Sequence, residues 1–504
     1  VPRKKRRRTV RRSVGRIRGP QPGVATRDCG GFMQTGTYDI SLQFGVPIGN
    51  ITLLSGYQLL VAGATGPFVC AFSRKYGKRP AFLISGVLGL VGTIIGSATN
   101  TYNGLLAARI VQGLSISAYE SLILSVIGDL YFVHQRGVFA SAINFLLAGV
   151  SNFSSVITGE VVSGLGWKYL FHILIAVIAS HLILTFLFCP ETTYIRDHRY
   201  ELDMLVEVDL KELVEVERRH EERASKAGEH GDAQLEKTYT AASTVRTVPP
   251  LKSTRQQLAI FTGTYSDENL LQLAVSTFAV FTNAAVAWVV IASGGATALF
   301  VAMSFVLAQI FTLPPYGLDA AGVGYLSLGP FVGSVVGSIF IGALLDPMIK
   351  WLSKKNGGVY EPEYRLVIMI GGLLLGAGLV AWGYMVQNGV SLYACATVHG
   401  IVLVGAIFIT CAATTYALDA YRDMSTEIFI ACMLFKNFIF YGFSYFVNSW
   451  TATAGPFKVF GTFGGVGFAI TLTGIPVYIF GKKYRSFWAR HNLLQKFGIQ
   501  THAE

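Results

Sequence analysis

The stretch GPFVCAFSRKYGKRP, residues 66–80, decides the fold. An apolar run ends here in a cluster of four basic residues, and a second apolar run begins directly after Pro80. The cluster consists of Arg74, Lys75, Lys78 and Arg79. A short basic turn between two apolar runs is typical of a membrane hairpin, and cytoplasmic loops carry the excess of Lys and Arg. The stretch therefore predicts a membrane protein and places this turn in the cytoplasm.

The composition indicates the same class. The 504 residues are 52% hydrophobic and only 14% charged, and the mean hydropathy is +0.48. One water-soluble core does not bury that much apolar surface. The net charge of +12 would suit a nucleic-acid-binding domain if it lay on a compact polar surface. Ten basic residues instead lie within residues 3–18, and most others border apolar runs. We therefore expect a lipid bilayer, and no nucleic acid, as the partner of this chain.

Eleven apolar runs follow one another from Ile51 onward. Most are about 20 residues long, which at 1.5 Å per residue crosses the hydrocarbon core of a bilayer. The predicted spans are 51–72, 81–98, 102–127, 138–162, 169–189, 284–311, 323–345, 366–386, 392–418, 428–447 and 462–480. Residues 32–43 have the composition of the outer end of one more helix, whose beginning we expect to be missing or truncated.

The loop charges orient these spans. On the side of Arg74, the loops and the tail carry Arg136, Lys350, Lys354, Lys355, Arg365, Lys482, Lys483, Arg485 and Arg490. The loops of the other side carry only Lys168 and Lys458. This contrast predicts that the central loop and the C-terminus are cytoplasmic. Asn50, in the sequence Asn-Ile-Thr, then lies outside and is a glycosylation candidate.

The chain divides into five predicted segments. They are a basic N-terminal segment (1–31) with the composition of a disordered tail, an N-terminal transmembrane half (32–189), a central loop (190–283), a C-terminal transmembrane half (284–481) and a tail (482–504). A localisation signal or transit peptide is the less favoured interpretation of residues 1–31. Within the loop, near-helical spacing of apolar residues predicts an amphipathic helix over 201–226. A short lead-in helix is expected at 271–281.

The two groups of spans are related to each other. Cys70 and Arg74 stand four residues apart before one basic turn, and Gly342 and Asp346 have the same spacing before another. The most specific motifs are SRKYGKRP (73–80), RIVQG (109–113), AYESL through GDLYFVHQRG (118–137), PETTY (190–194), NGGVYEPEYR (356–365) and YALDAY (416–421). With these motifs the sequence resembles the major facilitator superfamily, in particular its fungal drug:proton antiporter-like branch, which includes polyamine and histidinol transporters.

The resemblance implies an all-α polytopic membrane protein with a major facilitator fold of two six-helix halves. It also implies secondary active transport by alternating access. Two differences from the family's usual motifs affect these expectations. The family usually has an acidic residue where Arg74 stands, so its charge lock between helix ends must be rebuilt or is weaker here. The antiporter motif of the fifth span usually has Gly-Pro where this chain has Ser154 and Ser155, which weakens the inference of proton-driven export.

Ionisable residues inside a span are costly and are therefore functional candidates. Arg109 shares a helix face with Gln112, and the resemblance gives Arg109 a part in proton coupling. A structural arginine bonded to carbonyls of a neighbouring helix is the alternative. Glu120 follows eleven residues later, on nearly the same face and about 16 Å along the axis. It could bind a cation or a proton, or make a hydrogen bond between packed helices.

The remaining candidates fall into three groups. The predicted substrate cavity comprises Gln112, Tyr119, Glu120, Trp288, His399 and Tyr416. Buried charges of unknown role are expected at Glu160 and Lys436, and a buried partner is expected for Lys436. The interdomain lock, which would close the cytoplasmic ends, is expected to consist of Arg74, Lys78, Arg79, Asp129, Arg136, Asp346 and Asp419.

We expect a transporter and not an enzyme. The sequence has no phosphate-binding loop of an ATP-driven pump, and we expect no cofactor and no metal. The substrate is expected to be a small organic molecule, cationic or amphipathic, such as a drug, a secondary metabolite or a polyamine, moved in exchange for protons across the plasma membrane. Three alternatives stay open: polyamine or nutrient uptake instead of efflux, a sensor or scaffold without transport, and a truncated gene product.

Overall fold

The computed structural model describes residues 32–130, 149–192, 258–261, 263–265, 269–421 and 424–491, and these ranges contain helices and no strand. In chain order the helices are α1 (Phe32–Phe44), α2 (Ile48–Tyr76), α3 (Lys78–Ala98), α4 (Tyr102–Leu130), α5 (Ser151–Leu165), α6 (Trp167–Phe188), α7 (Leu270–Ala279), α8 (Ala284–Phe311), α9 (Ala320–Tyr325), α10 (Leu328–Lys355), α11 (Leu373–Gln387), α12 (Leu392–Ala420), α13 (Ser425–Ala454) and α14 (Pro456–Arg490). Two 3₁₀ segments, Val280–Thr282 and Pro362–Gly372, precede α8 and α11.

Nine helical stretches in the described part of the chain are long and apolar enough to cross a membrane, and each coincides with a predicted span. The predicted span 102–127 forms the 29-residue helix α4 but is not among those nine. The span predicted at 138–162 lies partly outside the described residues, and its described part is α5. The expected helices at 32–43 and 271–281 are present as α1 and α7. Residues 1–31 and the amphipathic helix at 201–226 lie outside the described residues.

The turn that decides the fold depends on Gly77, which separates α2 from α3. Its φ is +99°, a conformation that glycine adopts without steric cost. A Cβ at this position would lie 2.9 Å from Cδ of Glu191. Glu191 follows the end of α6, whose C-cap is Cys189. Both the backbone angle and the space at this turn therefore require glycine.

The two halves meet along α2 and α13, which pack antiparallel. Gly49 of α2 faces Asn448, and Gly56, seven residues later, faces Ser444. After a further seven residues Gly63 faces Asn437, where a Cβ on the glycine would lie 2.9 Å from the Cβ of the asparagine. Small residues at such an interface let two helix backbones approach closely. The heptad spacing of these glycines therefore forms a seam between the halves.

A second seam joins α5 of the N-terminal half to α9 of the C-terminal half. A Cβ on Gly159 would lie 2.7 Å from the carbonyl oxygen of Ala320, and one on Gly324 would lie 2.7 Å from that of Ser155. Backbone therefore packs directly on backbone at this contact, which leaves no room for side chains. The family's fifth-span motif, altered here at Ser154 and Ser155, lies on this seam.

Candidate functional site

A buried polar cluster connects α4 to α13, and hence one half to the other. Lys436 Nζ donates a hydrogen bond to Glu120 Oε1 at 3.0 Å, and Asn437 Nδ2 donates to Glu120 Oε2 at 2.8 Å. All three residues are buried. We call Glu120, Lys436 and Asn437 the Glu120 cluster. Its carboxylate receives hydrogen bonds at both oxygens from adjacent residues of one helix in the opposite half.

The cluster lies at the level where α2 packs closely against both α4 and α13. A Cβ on Gly66 would lie 3.2 Å from Ser121 Oγ on α4 and 4.0 Å from Ile430 on α13, so α2 is in close contact with both helices at this level. The ring of Phe440, one turn after Lys436, lies 5.5 Å from Lys436 Nζ. Removing one partner from a buried ion pair costs about 3–5 kcal/mol. The cluster therefore ties the two halves together as long as both charges are present.

Arg109 occupies a separate buried site within the N-terminal half. Its Nη1 donates to Gln58 Oε1 at 3.1 Å and to Gln112 Oε1 at 3.0 Å. The guanidinium carbon lies 5.7 Å from the ring of Phe171. Gln112 Nε2 in turn donates to Thr93 at 3.3 Å. The structure thus brings Arg109 and Gln112 together as their spacing predicts. These hydrogen bonds stay within one half, whereas those of Glu120 reach the other half.

The other cavity candidates fall in different places. Tyr119 is buried against the N-terminal half, where its hydroxyl donates to the carbonyl of Phe82 at 3.3 Å. Trp288 packs edge-on against Tyr416 with ring centroids 6.3 Å apart, inside the C-terminal half. His399, only 1% exposed, lies in that half beside an aromatic ring of α8 and another of α11. Of the six predicted cavity residues, only Glu120 takes part in the cluster between the halves.

The expectation that Glu160 is buried is wrong, because its side chain is exposed. It accepts a hydrogen bond from the hydroxyl of Tyr325 across the α5–α9 seam. On the same seam Ser163 Oγ donates to Asp319 Oδ2 at 3.0 Å. Two hydrogen bonds hold the pKa of Asp319 below its ordinary value. The one from the Gly322 amide has the larger effect, and the one from Ser163 has the smaller. Sequence reasoning missed Asp319 and Tyr325, although an aspartate before Ala-Ala-Gly is a typical helix N-cap.

Arg74 pairs across the α2–α13 seam with Glu427, which sequence reasoning also missed. Nη1 of the arginine lies 2.9 Å from Oε1 of the glutamate, whose side chain is fully buried. The family's usual acid on α2 is thus replaced by a base, and the acid lies on α13. Glu427 is in the first turn of its helix, where an acidic residue is favoured by the helix dipole.

The Arg79 side chain belongs to a contact within the N-terminal half, which corrects its placement in an interdomain lock, and the backbone of Lys78 takes part in the same contact. The Glu191 carboxylate accepts hydrogen bonds from the backbone amides of both residues, each at 3.0 Å. The guanidinium of Arg79 donates to the carbonyls of Phe186 and Cys189, each at 2.8 Å. An acid therefore caps the start of α3 while a base caps the end of α6. The motifs SRKYGKRP and PETTY form one reciprocal cap.

Asp419 likewise pairs within one half, with Arg365 of the 3₁₀ segment and with the hydroxyl of Tyr360. Beside it, Arg485 of α14 binds Glu363 through two hydrogen bonds of 2.8 Å. The other predicted lock residues, whose side chains lie outside the described part of the chain, are Asp129, Arg136 and Asp346. Asn50 is exposed in the first turn of α2.

Comparison with known proteins agrees with this architecture. The family model described as Major Facilitator Superfamily matches residues 24–429. Protein HOL1 of Saccharomyces cerevisiae is 22% identical over 520 residues, which cover 95% of this chain and 86% of that protein. A probable efflux pump, mfs2 of Aspergillus flavus, is 23% identical over 410 residues, covering 77% of this chain and 83% of that protein.

Solved structures share the fold at low sequence identity. A POT family transporter in complex with 5-aminolevulinic acid superposes with a TM-score of 0.55 at 15% identity, covering 94% of this chain and 96% of that one. The xylose transporter XylE of E. coli, in a partially occluded inward-open conformation, gives a TM-score of 0.52 at 13% identity, covering 89% and 96%. At these identities the likeness concerns the fold alone.

Proposed function

This chain belongs to the major facilitator superfamily and is a membrane transporter of small molecules. We propose that it exchanges protons for a small organic cation at Glu120. Alternating access would rock the two halves about the site between them. We place the protein in the plasma membrane, with the central loop and the C-terminus in the cytoplasm, as the loop charges predict.

The Glu120 cluster is the observation that carries the proposal. A carboxylate buried between the halves is costly unless a cation or a proton compensates it. Here Lys436 supplies the cation from the opposite half. Any event that removes the charge of Glu120, or supplies another cation, therefore weakens the contact between α4 and α13.

Protonation provides one such event. A proton that binds to a Glu120 oxygen neutralises the carboxylate, and Lys436 then has no negative partner in this ion pair. The loss of this electrostatic attraction favours separation of α4 from α13 around the cluster. When the proton leaves, the ion pair reforms and favours the conformation described above. Proton binding is thereby linked to the movement of the two halves.

Arg109 is proposed to support this step at a distance. Its network with Gln58 and Gln112 links α2 to α4, and both helices also contact α13. A rearrangement of that network would reach the Glu120 cluster along α4. The experiment decides the direction of transport. The name of one relative, a probable efflux pump, supports export, whereas the altered fifth-span motif at Ser154 and Ser155 favours uptake.

The test is transport by the purified full chain in proteoliposomes with an imposed pH gradient. Labelled spermidine and tetraphenylphosphonium serve as a polyamine and an amphipathic cation. We expect gradient-driven movement of at least one of them, and a loss of about tenfold or more in Glu120→Gln. Glu361→Gln is the matched control, because Glu361 is paired with the exposed Lys482, and it should transport normally. Wild-type rates in Glu120→Gln, or no cation transport by the wild type, would refute the proposal.

A further inference from the structure

We infer that the position of the Lys436 ammonium group is itself a binding site for the primary ammonium group of a small organic cation, and that Lys436 is its tethered competitor. This inference rests on the proposed function and specifies how its site selects a substrate. It assigns Lys436 and Asn437 a role in specificity.

The surroundings of Lys436 Nζ have the chemistry of an ammonium site. A carboxylate oxygen of Glu120 lies 3.0 Å from the nitrogen, and the Phe440 ring centroid lies 5.5 Å from it. A carboxylate and an aromatic face together bind alkylammonium ions, the first by a charge-assisted hydrogen bond and the second by cation–π attraction. The site is buried, so both interactions act with little competition from water.

Asn437 supplies a second, independent observation. It is 1% exposed, and its Oδ1 has no hydrogen-bond partner among the described residues. The amide group must direct Nδ2 toward the Glu120 carboxylate, since Oδ1 would be repelled there. A buried acceptor left without a donor costs about 1–3 kcal/mol. A substrate with a second N–H group, beyond the ammonium that replaces Lys436, would remove that cost.

Ser117 adds another acceptor on the same side of α4. It lies three residues before Glu120, so the two share a helix face. Its Oγ is buried and likewise has no partner within the described ranges. A Cβ on Gly66 would lie 3.9 Å from this oxygen, which places Ser117 next to the close approach of α2. A primary ammonium group has three N–H donors, as Lys436 has, and one of them suits the Glu120 carboxylate; Ser117 Oγ could accept a further N–H group of the substrate.

Exchange of one ammonium for another keeps the cluster neutral. If the ammonium of a substrate takes the place of the Lys436 group, Glu120 stays compensated throughout, and the flexible lysine stem lets its own charge move away. A neutral molecule cannot displace Lys436 without leaving a buried charge unpaired. A quaternary ammonium ion has no N–H groups to donate to the acceptors. The site should therefore prefer primary amines over quaternary ones.

Binding of n-butylammonium and tetramethylammonium to the purified full chain, measured by isothermal titration calorimetry, tests the inference. Lys436→Met removes the competitor and keeps the apolar stem. We expect it to bind n-butylammonium about tenfold or more tightly than the wild type does, because a site occupied by its own tether has a reduced apparent affinity. Tetramethylammonium should gain much less. The control Lys458→Met removes an exposed lysine and should change neither affinity.

Two further variants keep the inference falsifiable if Lys436→Met does not fold. The double variant E120Q/K436M has a neutral cluster and should fold without binding n-butylammonium. Asn437→Leu in the otherwise native chain removes the hydrogen bond to Glu120 Oε2 and should weaken n-butylammonium binding several-fold. Unchanged or weaker n-butylammonium binding in Lys436→Met, equal binding in the double variant, or an unaffected Asn437→Leu would each overturn the inference.

The outcome separates the two proposals. If the wild type transports cations in a pH gradient but Lys436→Met binds n-butylammonium no better, the tethered competitor is refuted and the proposed function stands. If Lys436→Met gains affinity while the wild type transports no cation, the ammonium site exists and the proposed function is refuted.

Discussion

Arg74 on α2 and Glu427 on α13 form an ion pair between the two halves, with Nη1 2.9 Å from Oε1. Glu427 is fully buried and the arginine side chain is 11% exposed. The pair restores, with reversed charges, an electrostatic contact at the place where the family's loop motif usually has an acid. It lies on the same two helices as the glycine seam and at the turn that decides the fold.

Reversal of this ion pair should be tolerated only when both charges change. Arg74→Glu places two acids together and should lower the free energy of unfolding by about 3–5 kcal/mol, because Glu427 is then buried without its cation. The double variant R74E/E427R should recover more than half of the loss. Thermal unfolding of the purified protein in detergent measures both.

The exposed pair of Lys482 and Glu361 is the control for this experiment. Lys482→Glu should change the stability far less than Arg74→Glu does, since exposed ion pairs contribute little. An Arg74→Glu variant as stable as the wild type would contradict the importance of the pair. A double variant no better than the worse single variant would contradict the pairing itself.

Gly56 should not accept even one methyl group. A Cβ there would lie 2.8 Å from the Cβ of Ser444 and closer still to its Oγ, so Gly56→Ala must push α2 from α13. We expect a loss of about 1–3 kcal/mol, the usual cost of overpacking. Ser444→Gly in the same chain should restore most of it, as measured by thermal unfolding.

Gly442, on α13, is the matched control for the seam. It is helical, and a Cβ there would have no heavy atom within 4 Å in the described structure. Gly442→Ala should therefore be neutral or stabilise the chain by up to about 1 kcal/mol through helix propensity. Equal losses in Gly56→Ala and Gly442→Ala would show that close packing of the halves is not the cause.

The reciprocal cap between α3 and α6 should depend on Glu191. Glu191→Ala leaves the amides of Lys78 and Arg79 without their acceptor, and we expect a loss of about 0.5–2 kcal/mol, as for other N-terminal caps. Gly77→Ala should cost more, because it combines a positive φ with a contact to Glu191. Thermal unfolding again provides the measurement.

Gly166 separates these two causes. Its φ of +92° and ψ of 160° nearly equal those of Gly77, but a Cβ there would meet nothing within 4 Å. Gly166→Ala therefore reports the conformational cost alone, and Gly77→Ala should exceed it. If the two variants lose the same stability, the crowding by Glu191 has no energetic effect.

The helices were predictable because their signal is local. A run of about 20 apolar residues must satisfy its backbone within itself in lipid, so length and composition indicate each span. Nine predicted spans coincide with helices that are long and apolar enough to cross a membrane, in the part of the chain that the structure describes. Residue spacing along one helix also predicted that Arg109 and Gln112 lie together, as they do. The burial expected for Glu160 was wrong because α5 turns that residue to an exposed face of the α5–α9 seam.

Contacts between distant helices were not predictable in the same way. Lys436 was expected to have a buried partner, but Glu120 lies 316 residues away along the chain, and any buried acid was equally compatible with the pattern. Glu427 and Glu191 show the same limit, since each is an ordinary acidic residue until packing places it beside Arg74 or at the start of α3.

The amino-acid sequence by itself therefore determined the membrane class, the spans and the two related halves, since these follow from hydropathy and from charge at the ends of apolar runs. Only the tertiary structure decided which charges meet across the halves. The physical reason is that a buried charge requires a partner of opposite sign, while the identity of that partner depends on how closely α2, α4 and α13 pack. The turn at Gly77 shows both contributions. The sequence alone identifies its basic residues as a hairpin, whereas only the fold brings Glu191 to the amides of Lys78 and Arg79.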